Sequence, residues 1–268
     1  MPFTDDALTY LETHGIPPLP AATDSGLVDA EGARIWYAAF GSGPPVILLH
    51  GGLGNAGNWG HQVPALVAAG YRAIVLDSRG QGHSTRDDRP YSYELMAADT
   101  RAVMDHLGIA RAAFIGWSDG ADTALVLARE TPERSAGVYF FACNVDAGGT
   151  LPFVFTDRIG RIYSQHVKDY AAMSPTPDAF EPMRDDLGIM QKAQPSYTAA
   201  DLASIAVPVW AVLGEGDEFI RREHLQYIAD TIPGARFLLL PGVSHFAPLQ
   251  RPGAFNATLL DFLRSLRW

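Results

Sequence analysis

Cysteine is nearly absent: Cys143 is the single one in 268 residues. One thiol excludes an intrachain disulfide framework and any zinc site built on several cysteines. Cys143 follows the apolar run Val138-Tyr139-Phe140-Phe141, so it reads as a buried structural thiol. Positive charge is also short. Twenty Lys and Arg stand against 30 Asp and Glu, a formal charge of −10, and no basic cluster appears. That excludes a nucleic-acid surface, which needs grouped cations for the phosphates. No apolar run approaches the roughly 20 residues of a membrane helix. Met1 to His14 carries acidic residues and neither a basic segment nor a long apolar core, so no signal peptide is expected. The expectation is a soluble cytoplasmic protein without a membrane partner. Metal-ligand clusters and nucleotide loops are missing too, so no metal and no cofactor are expected.

Apolar residues are plentiful. At 47% hydrophobic, the 268 residues suit one large α/β domain with a small insertion. Short apolar runs alternate with amphipathic stretches. Strands are predicted over 34–40, 46–49, 72–76, 112–115, 138–142, 207–213 and 237–240. Helices are predicted over 93–107, 121–129, 221–232 and 252–266. Such alternation implies a mostly parallel twisted sheet covered by helices on both faces. Residues 1–25, with a short helix over 5–14 and the stretch Ile16-Pro17-Pro18-Leu19-Pro20, read as an extension. Residues 26–146 and 200–268 read as the core. Between them, 147–199 offers no strand, five prolines and helical patches such as 158–170. A length like that is not plain loop, so it is predicted to be a helical cap.

Gly116-Trp117-Ser118-Asp119-Gly120 carries the chemistry. It has the form G-x-S-x-G and lies between a buried strand and an Ala- and Leu-rich helix. A sharp strand-to-helix turn strains its central residue, demands small flanking residues, and exposes the serine oxygen at the rim of the sheet. A serine hydroxyl needs a base, and the base needs a third group to hold its tautomer. Of eight histidines, His245 follows a strand and so falls at the same rim. His14, His61, His106, His166 and His224 fall in apparent helices or the extension and read as structural. For the acid, Asp217 in Gly214-Glu215-Gly216-Asp217 is preferred. Glu215 is too near its strand, Glu218 points into the next turn, and Asp146 is the rival. An oxyanion hole is expected from the N–H of Asp119 and that of Gly52, with Leu53 second, in His50-Gly51-Gly52-Leu53-Gly54.

Together with Asp77-Ser78-Arg79-Gly80-Gln81-Gly82-His83-Ser84, these motifs resemble the α/β-hydrolase family from about Gly26 to the end. The resemblance implies a Ser118–His245–Asp217 triad and a structural turn, not a catalytic group, at His83. The elbow is similar to that of valacyclovirase-like α-amino-ester hydrolases, where the acidic residue after the serine binds the substrate ammonium; here that is Asp119. The sequence departs at Ala121, where a Gly is expected, and in its His50-Gly51-Gly52 loop, closer to proline iminopeptidase-like enzymes.

Asp119 has a second reading, as a first-turn acid that caps its helix and faces away. Trp59 and Trp117 are candidates for the substrate pocket, with core packing as the alternative. Phe153, Phe155, Tyr163 and Tyr170 form either a lid wall or the core of a helical pair. The expected activity is a serine hydrolase acting on a small ester, thioester or amide, with a small molecule as partner and self-association left open. The alternatives are a C–C bond hydrolase, a perhydrolase-like enzyme, and a hydrolase-like signalling receptor.

Overall fold

The protein is described from a computed structural model, which defines residues 16–268. The helix expected over 5–14 lies outside the described residues. Eight strands form one sheet in the order β1-β2-β4-β3-β5-β6-β7-β8. They are β1 (Asp24–Ala30), β2 (Ala33–Phe40), β3 (Pro45–Leu49), β4 (Arg72–Leu76), β5 (Ala112–Trp117), β6 (Ser135–Phe141), β7 (Val209–Gly214) and β8 (Arg236–Leu240). The helices are α1 (Gln62–Ala68), α2 (Tyr93–His106), α3 (Asp119–Glu130), α4 (Asp157–Met173), α5 (Phe180–Ala193), α6 (Ala199–Ala203), α7 (Arg222–Thr231), α8 (Ala247–Gln250) and α9 (Pro252–Ser265).

The central strands are apolar along their whole length because helices cover both faces. β5 and β6 are buried at every position. β1 and β2 pair antiparallel, as do β2 and β4, whereas β3 to β8 run parallel. β1 begins at Asp24, inside the stretch read as an extension. Its sequence, Asp-Ser-Gly-Leu-Val-Asp-Ala, is polar and mostly exposed at the sheet edge, so it carries little apolar signal.

The parallel register lines up the strand ends. Leu49 faces Gly116, Trp117 faces Phe141, Phe141 faces Val212, and Gly214 faces Leu240. The loops after β3, β5, β7 and β8 therefore emerge at one rim. This is where an open α/β sheet offers a crevice for ligands.

Between β6 and β7 the chain forms α4, α5 and the short α6. Ile159, Ile162, His166 and Tyr170 make the buried stripe of α4. Phe180, Met183, Leu187 and Met190 make that of α5. The Phe180 ring meets Tyr163 and Tyr170 edge-on at 5.6 and 5.4 Å. Polar contacts tie the insertion to the rest: Arg86 to Asp186 at 2.7 Å, Arg158 to Glu218 at 2.7 Å, and Asn55 to Asp169 at 3.4 Å. α5 escaped the sequence reading because Pro182, Gly188 and paired acids dilute its apolar period.

Candidate active site

Ser118 sits at the turn from β5 into α3 with φ 53° and ψ −126°. That is the left-handed side of backbone space, which a residue with a Cβ occupies only under strain. The turn is held by the Ser118 N–H donating to Phe141 O at 2.9 Å. The flanking glycines are sterically required. A Cβ on Gly116 would lie 2.3 Å from Ala121 Cα, and one on Gly120 would lie 2.1 Å from Leu49 O. The serine thus stands on a bend that only these neighbours permit.

Asp217 and His245 come from the loops after β7 and β8. His245 Nδ1 lies 3.0 Å from Asp217 Oδ2. The other carboxylate oxygen accepts the N–H groups of Phe219 and Ile220, both at 2.9 Å. Three hydrogen bonds therefore fix a side chain that is 1% exposed. The imidazole is walled by Phe219 at 4.6 Å, Phe246 at 5.6 Å and Trp117 at 6.2 Å between ring centroids. This leaves Nε2 as the ring nitrogen available to the cavity that His245 and Ser118 both border.

The rival carboxylates are engaged elsewhere. Asp146 accepts from Gly148 N–H at 2.7 Å and caps its own turn. Glu215 braces the neighbouring loop by accepting from Gly242 N–H at 2.8 Å. Glu218 departs from expectation. Instead of pointing into the next turn, it accepts the backbone N–H of His245 at 3.1 Å and pairs with Arg158 of α4. Its place beside Asp217 was the available signal, and only the meeting of two loops gives it this role.

The N–H groups of Gly52, Leu53 and Asp119 donate to no acceptor among the described residues. All three residues border the cavity with Ser118. Leu53 holds φ 67°, so the loop carries strain here too. His50 braces the loop from below. Its Nε2 accepts from Ser78 N–H at 3.0 Å, so Nδ1 must be the donor to Gly51 O at 2.8 Å. The ring is neutral in that arrangement, and burial lowers its pKa. His83 Nδ1 lies 2.9 Å from Asp77 Oδ2, in the turn beside the site and outside the cavity wall.

The cavity is about 750 Å³. Its floor is the strand rim, and its roof comes from the 147–155 loop, α4 and α5. Phe153, Phe155 and Tyr163 border it, as the lid-wall reading has it, while Tyr170 packs inside the helical pair. Neither tryptophan does. Trp59 is fully buried and meets Trp117 edge-on at 6.2 Å. Trp117 packs against His245 and Phe246, with Trp59 behind it, so the pocket assignment gives way to core packing.

The Asp119 side chain faces the cavity and does not cap α3. It is 5% exposed. Tyr93 Oη donates to its Oδ1 at 3.0 Å, and Gln191 Nε2 of α5 donates to its Oδ2 at 2.9 Å. Burial raises the pKa of this carboxyl, against the pull of the two hydrogen bonds. Behind it, Asp122 accepts from Cys143 Sγ–H at 3.0 Å, and burial pushes both groups well up. Cys143 is 3% exposed.

Several cavity residues escaped the sequence reading, Tyr93, Gln191 and His166 among them. His166, assigned to a structural helix face, lines the cavity from α4. The stripe Ile159, Ile162, His166, Tyr170 gave the signal, with a polar ring at an apolar position.

A family model described as alpha/beta hydrolase fold matches residues 44–158. Across the chain, similarity extends to the Mycobacterium tuberculosis protein named non-heme bromoperoxidase BpoC, 29% identical over 86% of this chain and 98% of that one. The mouse serine hydrolase BPHL is 26% identical over 91% of this chain and 87% of its own length. Among solved structures, the enol-lactonase of Burkholderia xenovorans LB400 superposes with a TM-score of 0.72 at 24% identity, covering 90% of this chain and 100% of that one. The fold, the strand order and these relatives define the class: the chain has the α/β-hydrolase fold and is an enzyme of that kind. Among the described residues, no helix is long and apolar enough to cross a membrane.

Proposed function

We propose that the protein is a cytoplasmic serine hydrolase that cleaves a small carboxylic ester through an acyl-enzyme. The observation that carries this reading is the 3.0 Å His245–Asp217 pair opening onto the cavity that the strained Ser118 also borders. Ser118 Oγ attacks the scissile carbonyl while His245 Nε2 takes its proton. Asp217 holds the imidazole in the Nδ1–H tautomer and stabilises the imidazolium as it forms. The oxyanion develops against the unengaged N–H groups of Gly52 and Asp119, with Leu53 as the alternative to Gly52. Each such donor contributes about 10²–10³-fold in rate. His245 then returns the proton to the departing alcohol. In the second half, it activates water to hydrolyse the acyl-enzyme. The 147–199 insertion acts as the cap that shapes the acyl and leaving-group sites.

Asp119 supports a narrower substrate class, α-amino esters. Its carboxylate lies at the cavity wall, and both of its hydrogen-bond donors are neutral groups. A substrate ammonium supplies the missing cation and offsets the repulsion between this carboxylate and the oxyanion. The relative BPHL is named a serine hydrolase, which agrees with the general chemistry.

The bromoperoxidase name of another relative favours a second reading, in which hydrogen peroxide, rather than water, discharges the same acyl-enzyme. The released product is then a peracid.

A fluorophosphonate probe tests the mechanism. It is expected to label Ser118, and Ser118→Ala is expected to lose both labelling and ester turnover. An active wild-type preparation that stays unlabelled at Ser118 overturns it.

A further inference from the structure

His166 is a buried polar group that the proposed mechanism does not use. It sits on α4 between Ile162 and Tyr170 and is 8% exposed. Neither ring nitrogen makes a hydrogen bond to any described residue; Nδ1 is fully enclosed, whereas Nε2 is not, on a ring that lines the cavity. Leaving such an atom unpaired costs about 1–3 kcal/mol. Packing alone is served better by leucine at this position, so the imidazole is expected to meet something that enters the cavity.

Its location narrows what that is. His166 lies near His50, so that a proton on one ring would disfavour a proton on the other. His50 underlies the Gly51–Leu53 loop, and Gly51 is packed against Ser118: a Cβ there would come within 3.2 Å of Ser118 Cβ. Asn55 Nδ2 reaches Asp169 Oδ2, one turn further along α4, and keeps the helix over this loop. His166 thus approaches the cavity from the side of the oxyanion loop.

The ring's chemistry narrows it further. Burial depresses its pKa to about 4, so it is neutral across the physiological range. A neutral imidazole presents one donor and one acceptor. It suits an uncharged oxygen function and does not serve a carboxylate as an ion-pair partner.

We propose that His166 is a specificity-determining residue that hydrogen-bonds an uncharged oxygen function, a hydroxyl or an ether, carried by the substrate beside the scissile carbonyl. This inference rests on the ester-hydrolase reading and deepens it by naming a substrate class. A hydroxyl either donates to Nε2 or accepts from Nε2–H, according to the ring's tautomer. An ether engages the N–H alone.

Matched 4-nitrophenyl esters test the idea: the butyrate, in which the chain is alkyl, against the methoxyacetate and the 3-hydroxybutyrate. Each is assayed with wild type, His166→Leu and His166→Gln, and each variant is compared with wild type on the same ester so that intrinsic reactivity cancels. His166→Leu is expected to lower kcat/KM about tenfold on an oxygenated ester, chiefly through KM, a loss of the size of one hydrogen bond. Butyrate turnover is expected to stay within about twofold, and His166→Gln to recover part of the loss. Equal loss on all three esters, or no loss on any, overturns the proposal. A second measurement is independent of turnover. In Ser118→Ala enriched with ¹⁵N-histidine, ethyl methoxyacetate is expected to move the His166 ring resonances and ethyl butyrate to leave them in place. Identical spectra with both probes overturn the proposal. If wild type hydrolyses no ester and the shift appears, the hydrolase reading fails and the His166 assignment stands.

Discussion

His245 Nδ1 and Asp217 Oδ2 lie 3.0 Å apart, and the second oxygen of the same carboxylate takes two backbone N–H groups from Phe219 and Ile220. The Asp217 carboxylate is therefore locked in place within the fold. Asp217→Asn is expected to lower kcat by about 10⁴, because the amide no longer enforces the Nδ1–H tautomer. Asp146→Asn is expected to leave kcat within about twofold, since Asp146 only caps its own turn and the surface change is mild. Steady-state kinetics on one ester decides between the two carboxylates. Loss of kcat in Asp146→Asn alone moves the acid there.

The elbow tolerates no side chain on its glycines. Gly120→Ala places a Cβ 2.1 Å from Leu49 O, the carbonyl at the end of the neighbouring strand. Overpacking of this sort costs about 1–3 kcal/mol. The expected outcome is a lower urea midpoint together with slower fluorophosphonate labelling of Ser118. Unchanged stability and labelling would show that the turn relaxes freely.

Asp119 separates two substrate classes. Asp119→Asn keeps the shape and most of the hydrogen bonding to Tyr93 and Gln191 but removes the charge. It is expected to lower kcat/KM on α-aminoacyl esters at least about tenfold and to leave matched neutral esters near wild type, as expected for an ion pair made in a partly dry cavity. Equal losses on both classes assign Asp119 to holding α5 against the core.

His166 also leaves a mark on stability. Its pKa falls from 6.5 in the free residue to about 4 in the folded chain. Between those values the unfolded chain binds the extra proton, so stability falls as pH drops from about 6.5 to about 4 and is unaffected above that window. The full shift corresponds to about 3 kcal/mol. His166→Leu is expected to remove that part of the slope and to keep or raise the midpoint at pH 7. Urea titrations at pH 7 and pH 4.5 measure the difference. A variant whose acid sensitivity equals that of wild type overturns the assignment.

The apolar runs determined seven of the sheet's eight strands. Continuous burial makes β3, β5, β6 and β7 readable as uninterrupted hydrophobic segments, and the Ser118 elbow is legible because its glycines are sterically required. The exposed edge strand β1 and the diluted helix α5 carry no such signal, and both were missed. For the site, strand-following position puts Ser118, Asp217 and His245 at one rim, since a parallel sheet sends those loops there. Orientation was not encoded locally. Glu218 reaches His245, Asp119 faces the cavity under Tyr93 and Gln191, and the two tryptophans pack in the core, because segments far apart in the chain close over one another. The same closure turns His166 from a polar interruption in an apolar stripe into a ring facing the cavity. A side chain's neighbours along the chain fix its secondary structure, whereas its hydrogen-bond partners here come from other elements, and only the tertiary fold brings those together.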